Sequence, residues 1–314
     1  MSITRRIGSC LAGTVLAALA AAPPPVLACS ICRCGDPTFN ALGREGFHAA
    51  GLRLALDWER FDKDEGDPAV ESESQVENRF TALVSYGFGD RLSLTARVPL
   101  SWRHLVTTAP DTEPESVKTS GLSDPEIYAQ LRLWASPLTS PVGRRATVSL
   151  VAGVKTPWGK NDVVQDGVRV DEHGQPGTGS TDAFGSLVFL YLIDPRSALF
   201  VSTGYRGTGT NDHGYRYGSS FTSNVAYEHK LGRWLDGVVE LNFRHAAKDR
   251  VDQQGTLDDD TGGSLLYVTP RLLASLGHGL VLRAGAQIPL ARSLNGYQVE
   301  RAVANVGLTY LFGR

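Results

Sequence analysis

Three cysteines lie close together near the start of the chain, at Cys29, Cys32 and Cys34. Thiolates are soft ligands that bind Cu(I) and Zn²⁺, so this spacing predicts a copper or zinc site. Asp36, His48 or a newly freed terminal amino group would supply a fourth ligand. Such a site would also give a metal carrier or an electron carrier a place to dock.

Two other interpretations of this cysteine cluster stay open. Residues 26–29 read Val-Leu-Ala-Cys, a lipobox-like order that would leave Cys29 acylated. A disulfide between Cys29 and either Cys32 or Cys34 is the other interpretation. A c-type haem is disfavoured, because Arg33 and not a histidine follows Cys32.

The histidines provide a test for hydrolase chemistry. A serine hydrolase needs a Ser hydroxyl beside a His whose ring a third group orients. Outer-membrane phospholipases carry His-x-Ser on one strand face, but none of the seven histidines here has Ser or Thr two residues later. A pair formed across two strands stays open. The sequence therefore predicts no catalytic residue and no enzyme.

One acidic run, residues 258–260, consists of three aspartates. Carboxylate oxygens are the ligands that Ca²⁺ prefers. A solvated loop is the alternative, and it is the interpretation that a short run of like charge favours.

The first 28 residues have the order of a secretory signal peptide. Arg5 and Arg6 precede an apolar run at 7–22, and a proline break leads to Val-Leu-Ala at 26–28. Cleavage after Ala28 would move the formal charge from −2 to −4, because Arg5 and Arg6 are lost and no acid is. No basic tract remains, which argues against a nucleic-acid partner.

Beyond residue 48 the chain alternates between apolar and polar residues. The stretch 91–101 is typical: Leu92, Leu94 and Val98 fall on one face and Thr95 and Arg97 on the other. Successive side chains of a strand point to opposite sides, so the pattern predicts strands with one apolar face. Twelve segments share it: 49–61, 75–87, 91–103, 122–135, 145–157, 181–194, 197–207, 219–230, 234–247, 264–276, 280–291 and 299–312. Each is long enough to cross a bilayer at a tilt.

The connections between these segments alternate in length. Short ones fall at 87–90, 194–196, 231–233 and 277–279, with a medium one at 136–144. Long polar ones fall at 62–74, 104–121, 158–180, 208–218 and 248–263, and a shorter one at 292–298. Outer-membrane barrels have short turns at one end and long loops at the other. The sequence thus predicts an all-β, transmembrane antiparallel barrel of about twelve strands. Its parts are a signal peptide at 1–28, a Cys-containing segment at 29–48 and the barrel at 49–314.

Tryptophans near the predicted strand ends fit the aromatic girdles of such a barrel. They are Trp58, Trp102, Trp134, Trp158 and Trp234. Ordinary aromatic residues at turns are the alternative.

Charged residues on the non-lipid face are predicted to line the lumen. They are Arg53, Arg79, Arg97, Glu126, Arg132, Arg145, Lys155, Arg206, Glu228, Glu240, Arg244, Arg271, Arg283 and Arg301, with Glu77 on the same face. Buried charge needs water or an ion-pair partner. Two interpretations follow: a wet pore with a mild preference for anions, or a salt-bridge network that fills a narrow lumen. A twelve-stranded barrel is compatible with both.

Three glycine-rich stretches resemble a known family. They are GLSDPE at 121–126, GVKTPWG at 153–159 and QPGTGSTD at 175–182. These stretches resemble the outer-membrane proteins linked to the meta-cleavage pathway of phenol degradation, a broad group of transporter-like barrels. The resemblance covers most of the mature chain and implies transport of aromatic or other hydrophobic compounds. The cysteine cluster lies outside the group's general pattern.

Together these observations predict a channel or transporter for small solutes in the outer membrane of a Gram-negative bacterium, with membrane lipid around it. The alternative is a barrel that uses Cys29, Cys32 and Cys34 to bind copper or zinc, or to meet a periplasmic metal or electron carrier.

Overall fold

A computed structural model of the chain describes residues 50–67, 69–137, 145–251 and 254–312. Long strands with alternating exposure dominate it. The strands are β1 (Gly51–Asp67), β2 (Glu71–Phe88), β3 (Leu92–Thr108), β4 (Glu115–Leu122), β5 (Glu126–Ala135), β6 (Ala146–Lys155), β7 (Val164–Gln165), β8 (Val168–Arg169), β9 (Asp182–Leu192), β10 (Ser197–Gly207), β11 (Ser220–Lys230), β12 (Leu235–Ala246), β13 (Gly263–Gly277), β14 (Leu280–Leu294), β15 (Gln298–Glu300) and β16 (Val303–Leu311). One 3₁₀ turn, Glu172–Gly174, lies between β8 and β9.

The strands form a closed antiparallel barrel with twelve strand positions around its wall. Ten positions are single strands, one is β4 followed by β5, and one is β16 with the short β15. β1 closes the barrel because it pairs with β2 on one side and with β15 and β16 on the other. In the long strands closure leaves no open sheet edge, whereas the short β4 pairs only with β3 and the short β15 only with β1. The predicted all-β barrel of about twelve strands is confirmed.

Two predicted continuous segments are interrupted. The segment at 122–135 breaks at residues 123–125, where Asp124 and Pro125 separate β4 from β5, because proline cannot donate a ladder hydrogen bond. The segment at 299–312 breaks at residues 301–302. Apolar Val303 and Leu311 then face inward at 1% and 4% exposure, so part of the inner wall is apolar.

The outer surface of the barrel is apolar over a broad band. On β2 the outward residues Phe80, Val84 and Tyr86 are 39%, 48% and 49% exposed to the surroundings of the protein, while the inward Thr81 is 1% exposed. A water-soluble protein rarely exposes an apolar surface of this size. The band therefore suits contact with acyl chains.

Aromatic side chains border this band at both ends. Near the short turns, Tyr86 lies against Phe88 with ring centroids 4.8 Å apart, and Tyr310 lies against Phe312 at 4.5 Å. Toward the other end, Phe80 makes an edge contact with Trp102 at 5.7 Å. Eight residues of strand separate Phe88 from Phe80, or about 27 Å. At the tilt of about 35–45° of such strands, this length spans about 19–22 Å of height, which is close to the roughly 25 Å apolar band of an outer-membrane barrel.

Beyond the upper aromatic residues, β1 to β4 continue as a ladder out of the band. The predicted loop at 62–74 is wrong, since β1 and β2 stay paired up to Asp67 and Glu71. The predicted loop at 104–121 is also mostly strand, with Thr107 paired to Glu115. The side chains of these strands still point alternately inward and outward, but both faces are polar. A pattern of alternating apolar residues therefore could not predict them.

A charge placed in the apolar band should destabilise the barrel. We expect Val84→Arg to lower the free energy of unfolding by about 2–4 kcal/mol, because the guanidinium would face hydrocarbon near the midplane. Ser74→Arg, on the same outward face but above the band, should change it little. Urea unfolding in lipid vesicles measures both. Equal stabilities of the two variants would contradict this assignment of the lipid-facing band.

Several sequence predictions fall outside the described residues. The signal peptide, its cleavage after Ala28, and Cys29, Cys32 and Cys34 all precede residue 50. Among the described residues, no helix is both long enough and apolar enough to cross a membrane.

Candidate functional site: the lumen and its inward loop

The structure places most of the predicted lumen residues on the inner wall. Nine of the fourteen retain at most 7% exposure: Arg53, Arg79, Glu126, Lys155, Arg206, Glu228, Glu240, Arg244 and Arg283. Arg97, Arg132 and Arg271 are half-buried. The alternation of the sequence thus locates these side chains on the inner face.

Two of the fourteen predicted positions do not line the lumen. Arg145 is exposed and comes one residue before β6 begins, at the short-turn end of the barrel. Arg301 is exposed in the break between β15 and β16, where it pairs with Asp64 at 2.5 Å. Both lie outside the regular ladder, so strand alternation does not determine where their side chains point.

One group of lumen charges is centred on Glu77 of β2. Arg79 donates to Glu77 at 2.6 and 2.9 Å, and Ser101 of β3 donates to the same oxygen at 2.9 Å. Arg103 reaches the other carboxylate oxygen at 3.2 Å. These groups fill the space beside β2 and β3 with paired charge.

A second group is centred on Glu126 of β5. Arg97 of the adjacent β3, directly opposite Glu126 in the ladder, and Arg206 of β10 bind its two oxygens at 2.6 and 2.7 Å. Arg206 also lies 3.7 Å from Asp182 and 4.8 Å from the ring centre of Phe184. The Arg206–Glu126 pair joins β10 to β5 over the intervening β9 and β6, which supports the second interpretation of the sequence, a network that fills a narrow barrel.

The inner wall also carries an apolar patch toward the short-turn end. Leu190, Phe200, Val238 and Leu273 pack there with the small Ala198 and Ala226. The lumen is therefore amphipathic, with ion pairs in one part and an apolar patch in another.

Residues 156–181, which join β6 to β9, fold into the long-loop end of the barrel; we call them the inward loop. Its residues 172–180 are all buried. Arg103 donates to the backbone oxygens of His173 and Gln175, and Thr119 donates to that of Gly174 at 2.6 Å. Arg103 and Thr119 belong to the inner faces of β3 and β4, so the loop packs against the inside of the barrel wall.

Asp124, in the break between β4 and β5, anchors the inward loop. Its Oδ1 accepts from the backbone of Gly159 at 2.9 Å, and its Oδ2 accepts from the backbone and hydroxyl of Thr178 at 2.8 and 2.6 Å. Lys155 adds an ion pair at 3.0 Å and reaches Asp182 at the same distance. One carboxylate thus holds both ends of the loop.

A buried polar cluster lies where the inward loop meets the two loops that follow. Nε2 of His173 lies 2.8 Å from the Tyr215 hydroxyl, and that hydroxyl donates to Asp249 at 2.5 Å. The Asp249 carboxylate also accepts from the backbone of Gly218 at 2.6 Å. Burial and the neighbouring Asp249 raise the pKa of Tyr215, which keeps it a neutral donor. The cluster ties three extramembrane loops together over the lumen.

Glu73 lies on the ladder above the apolar band, and its ionisation makes the stability of the folded protein depend on pH. Burial and then the opposite Glu65 raise the pKa of Glu73 to about 7, while Lys63, Asp171 and His173 also face it. The folded pKa lies above the ordinary value, so the folded state binds more protons and stability falls as pH rises through this window.

We therefore expect the midpoint temperature of thermal unfolding to decrease as the pH is raised from 5 to 8. Glu73→Gln should flatten that dependence, whereas Glu71→Gln at the end of the same hairpin should not. A Glu73→Gln protein that keeps the full pH dependence would contradict the assignment.

Three Ser–His pairs do form across strands, which the sequence left open. They join His104 to Ser116, Ser197 to His229 and His245 to Ser264, each at 2.9 Å. In the described parts of the chain, the second ring nitrogen of each histidine has no acidic or amide partner. The third member of a hydrolase triad is therefore not found at these pairs.

No group of three or more His, Cys, Asp or Glu among the described residues is arranged to hold a metal ion. In the acidic run, Asp258 accepts from the backbone of Asp260 at 3.0 Å and Asp259 pairs with Lys248 at 2.5 Å. These contacts suit a solvated loop.

Sequence reasoning missed several residues of the site. Asp124 and Asp182 lie within stretches noted only for their glycines, and Arg103 lies at the edge of a predicted segment. His173, Tyr215 and Asp249 come from predicted loops. A carboxylate before a proline, as in Asp124-Pro125, was the available signal of a strand break with a functional side chain.

The family comparison agrees with the sequence resemblance. The model of the family described as "Putative MetA-pathway of phenol degradation" matches residues 59–293. The chain belongs to this family. Among curated proteins no sequence matches.

Solved structures share the fold. The crystal structure of the COG4313 outer membrane channel from Pseudomonas putida F1 is 11% identical, covers 88% of this chain and 98% of its own, and superposes with a TM-score of 0.64. This similarity shows that the present chain has the same barrel fold as that channel. The β domain of the Bordetella autotransporter BrkA (13% identity, 84% and 100% coverage, TM-score 0.44) and the CymD monoaromatic hydrocarbon channel (8%, 85% and 90%, 0.43) are more distant.

Proposed function

We propose that this protein is an outer-membrane channel of a Gram-negative bacterium that lets small solutes cross by passive diffusion, aromatic and other hydrophobic compounds among them. The observation that carries the proposal is a closed barrel with an apolar outer band, whose lumen is narrowed by a loop anchored on Asp124.

The composition of the inner wall supports small amphipathic solutes. Ion pairs around Glu77 and Glu126 offer polar contacts, and the patch around Phe200 and Leu273 offers apolar ones. The family description refers to phenol degradation, and phenolic compounds combine a polar group with an apolar ring. Transport through such a lumen requires no catalytic residue.

Uptake into proteoliposomes tests this proposal. Vesicles containing the purified full-length mature protein should take up phenol-sized solutes faster than protein-free vesicles, and should exclude solutes far larger than the lumen. Vesicles prepared with the same amount of unfolded, uninserted protein serve as the control. Correctly inserted protein that gives no uptake of any small solute would overturn the proposal.

The copper or zinc site at Cys29, Cys32 and Cys34 stays a separate prediction. Metal analysis of the purified protein tests it. Stoichiometric metal that is lost in a Cys32→Ser, Cys34→Ser variant would support a metal-binding or carrier-docking role.

A further inference from the structure

Glu59, on the inner face of β1, is a carboxylate that water reaches from the lumen. It follows Asp57 by two residues on the same face, and it lies opposite Arg79 of β2 and Asn305 of β16. Its side chain is half-buried, and within the described ranges no hydrogen bond or ion pair holds it. Arg79 is bound instead to Glu77 at 2.6 Å. No partner therefore neutralises the charge of Glu59.

Asp57 shows that the lumen is open beside this part of β1. It points inward, as do its ladder neighbours Thr81 of β2 and Gly307 of β16, which are buried. Its side chain is nevertheless 30% exposed, although Arg283 binds it at 2.6 Å. A side chain on the inner face of a closed barrel is exposed only to the lumen. An ion that passes along β1 therefore has room to approach these two carboxylates.

The cations of the inner wall are much less accessible. Five of them keep at most 8% of the side chain exposed and lie 2.6–3.2 Å from a carboxylate: Arg79, Arg103, Lys155, Arg206 and Arg271. Arg97, which is within electrostatic reach of Glu59, is bound to Glu126 and keeps 14%. Arg53 and Arg244 are 3% and 6% exposed. All of these cations are less exposed than Asp57, so the accessible charge beside β1 is acidic.

The loops above the lumen carry an excess of acid as well. The six long connections, 62–74, 104–121, 158–180, 208–218, 248–263 and 292–298, contain 19 Asp and Glu residues against 8 Lys and Arg residues. The five short connections at the other end contain 2 against 3. Charge of one sign around an entrance concentrates ions of the opposite sign. Cations should therefore enter from the long-loop end more readily than anions.

We propose that the channel selects cations and uncharged solutes over anions, and that Glu59 is the main residue that determines this selection inside the lumen. The inference rests on the proposed channel function and defines the charge of its solutes. The acidic loops concentrate cations at the entrance, and Glu59 and Asp57 attract them along β1, whereas both regions repel anions. This preference is opposite to the anion preference that the many lumen arginines predict, because those arginines are buried and most are bound to carboxylates.

The reversal potential in planar lipid bilayers under a gradient of potassium chloride tests this selection. The wild-type full-length mature protein should be at least about threefold more permeable to potassium than to chloride, since at 0.1 M salt a charge within about 10 Å of the path acts on an ion. Glu59→Gln should lower this ratio at least about twofold, and Glu59→Lys should bring it to about 1 or below.

Asp64→Asn is the matched control for Glu59→Gln. It removes the same charge from the same strand, but Asp64 lies on the outward face, opposite Ser74, and pairs there with Arg301 at 2.5 Å. The ratio should therefore equal that of the wild type. Heat-dependent gel mobility verifies that each variant is folded, and Glu59→Gln should fold as well as the wild type because it breaks no bond.

The possible failures are distinguishable. A wild-type protein that conducts without preference, or that prefers chloride, would overturn the selection and leave the channel proposal intact. A folded Glu59→Gln protein with the wild-type ratio would overturn the role of Glu59. Electrical silence of the inserted wild-type protein would overturn both the selection and the channel on which it rests.

Discussion

Replacing Asp124 by alanine is expected to release the inward loop from the barrel wall. The change removes the acceptor of three hydrogen bonds from Gly159 and Thr178 and one of the two carboxylates that pair with Lys155. Breaking a buried ion pair by removing one partner costs about 3–5 kcal/mol. If that cost falls on the docked loop, its opening becomes about a hundredfold to several thousandfold more frequent. Hydrogen exchange of the backbone amides at 172–178 measures this frequency.

The matched control for this change is Asp90→Ala. Asp90 also pairs with an arginine, Arg132 at 3.3 Å, but its side chain is 56% exposed. Exposed pairs contribute about 0–1 kcal/mol, so the exchange rates of the loop should not change. Equal exchange rates in Asp124→Ala and the wild type would show that the loop is held by other contacts.

Gly177→Ala should open the same loop for a steric reason. A Cβ at Gly177 would lie 2.6 Å from the backbone of Gly159 and 3.0 Å from the Asp124 carboxylate. Real Cβ atoms do not approach backbone so closely, and overpacking of this kind costs about 1–3 kcal/mol. The loop should therefore undock although every charge is retained, and a protease that cleaves exposed loops should cut it faster.

Gly232→Ala is the control for this steric effect. It adds the same methyl group in a short turn where nothing lies within 4 Å, and it should leave proteolysis unchanged. If Gly177→Ala resists the protease as the wild type does, the close packing of Gly177 on Gly159 does not hold the loop in place.

Alternation of side chains predicted the barrel because it is a local property of each strand. Leu92, Leu94 and Val98 fall on one face whatever the rest of the chain does. The alternation of short and long connections likewise predicted which end of the barrel carries the turns and which carries the loops, because connection length can be read directly from the sequence. Alternation also predicted the inner face, because the side chains on the face opposite the lipid must point into the lumen.

Contacts distant in the sequence were beyond this reasoning. Three glycine-rich stretches, GLSDPE, GVKTPWG and QPGTGSTD, carried the family resemblance, and the structure brings them together around one carboxylate. Their glycines permit close approach of backbones, and their Asp124, Lys155 and Thr178 make the bonds. Neither role is visible from spacing within a single stretch, because Asp124 lies between β4 and β5, Lys155 on β6 and Thr178 in the inward loop.

Single-channel conductance in planar lipid bilayers is the most direct test of a channel narrowed by the inward loop. The wild type should show a small, measurable conductance, and a variant with residues 161–176 replaced by a short glycine-serine linker should show a larger one. Electrical silence of both inserted proteins, or the same conductance in both, would contradict the account.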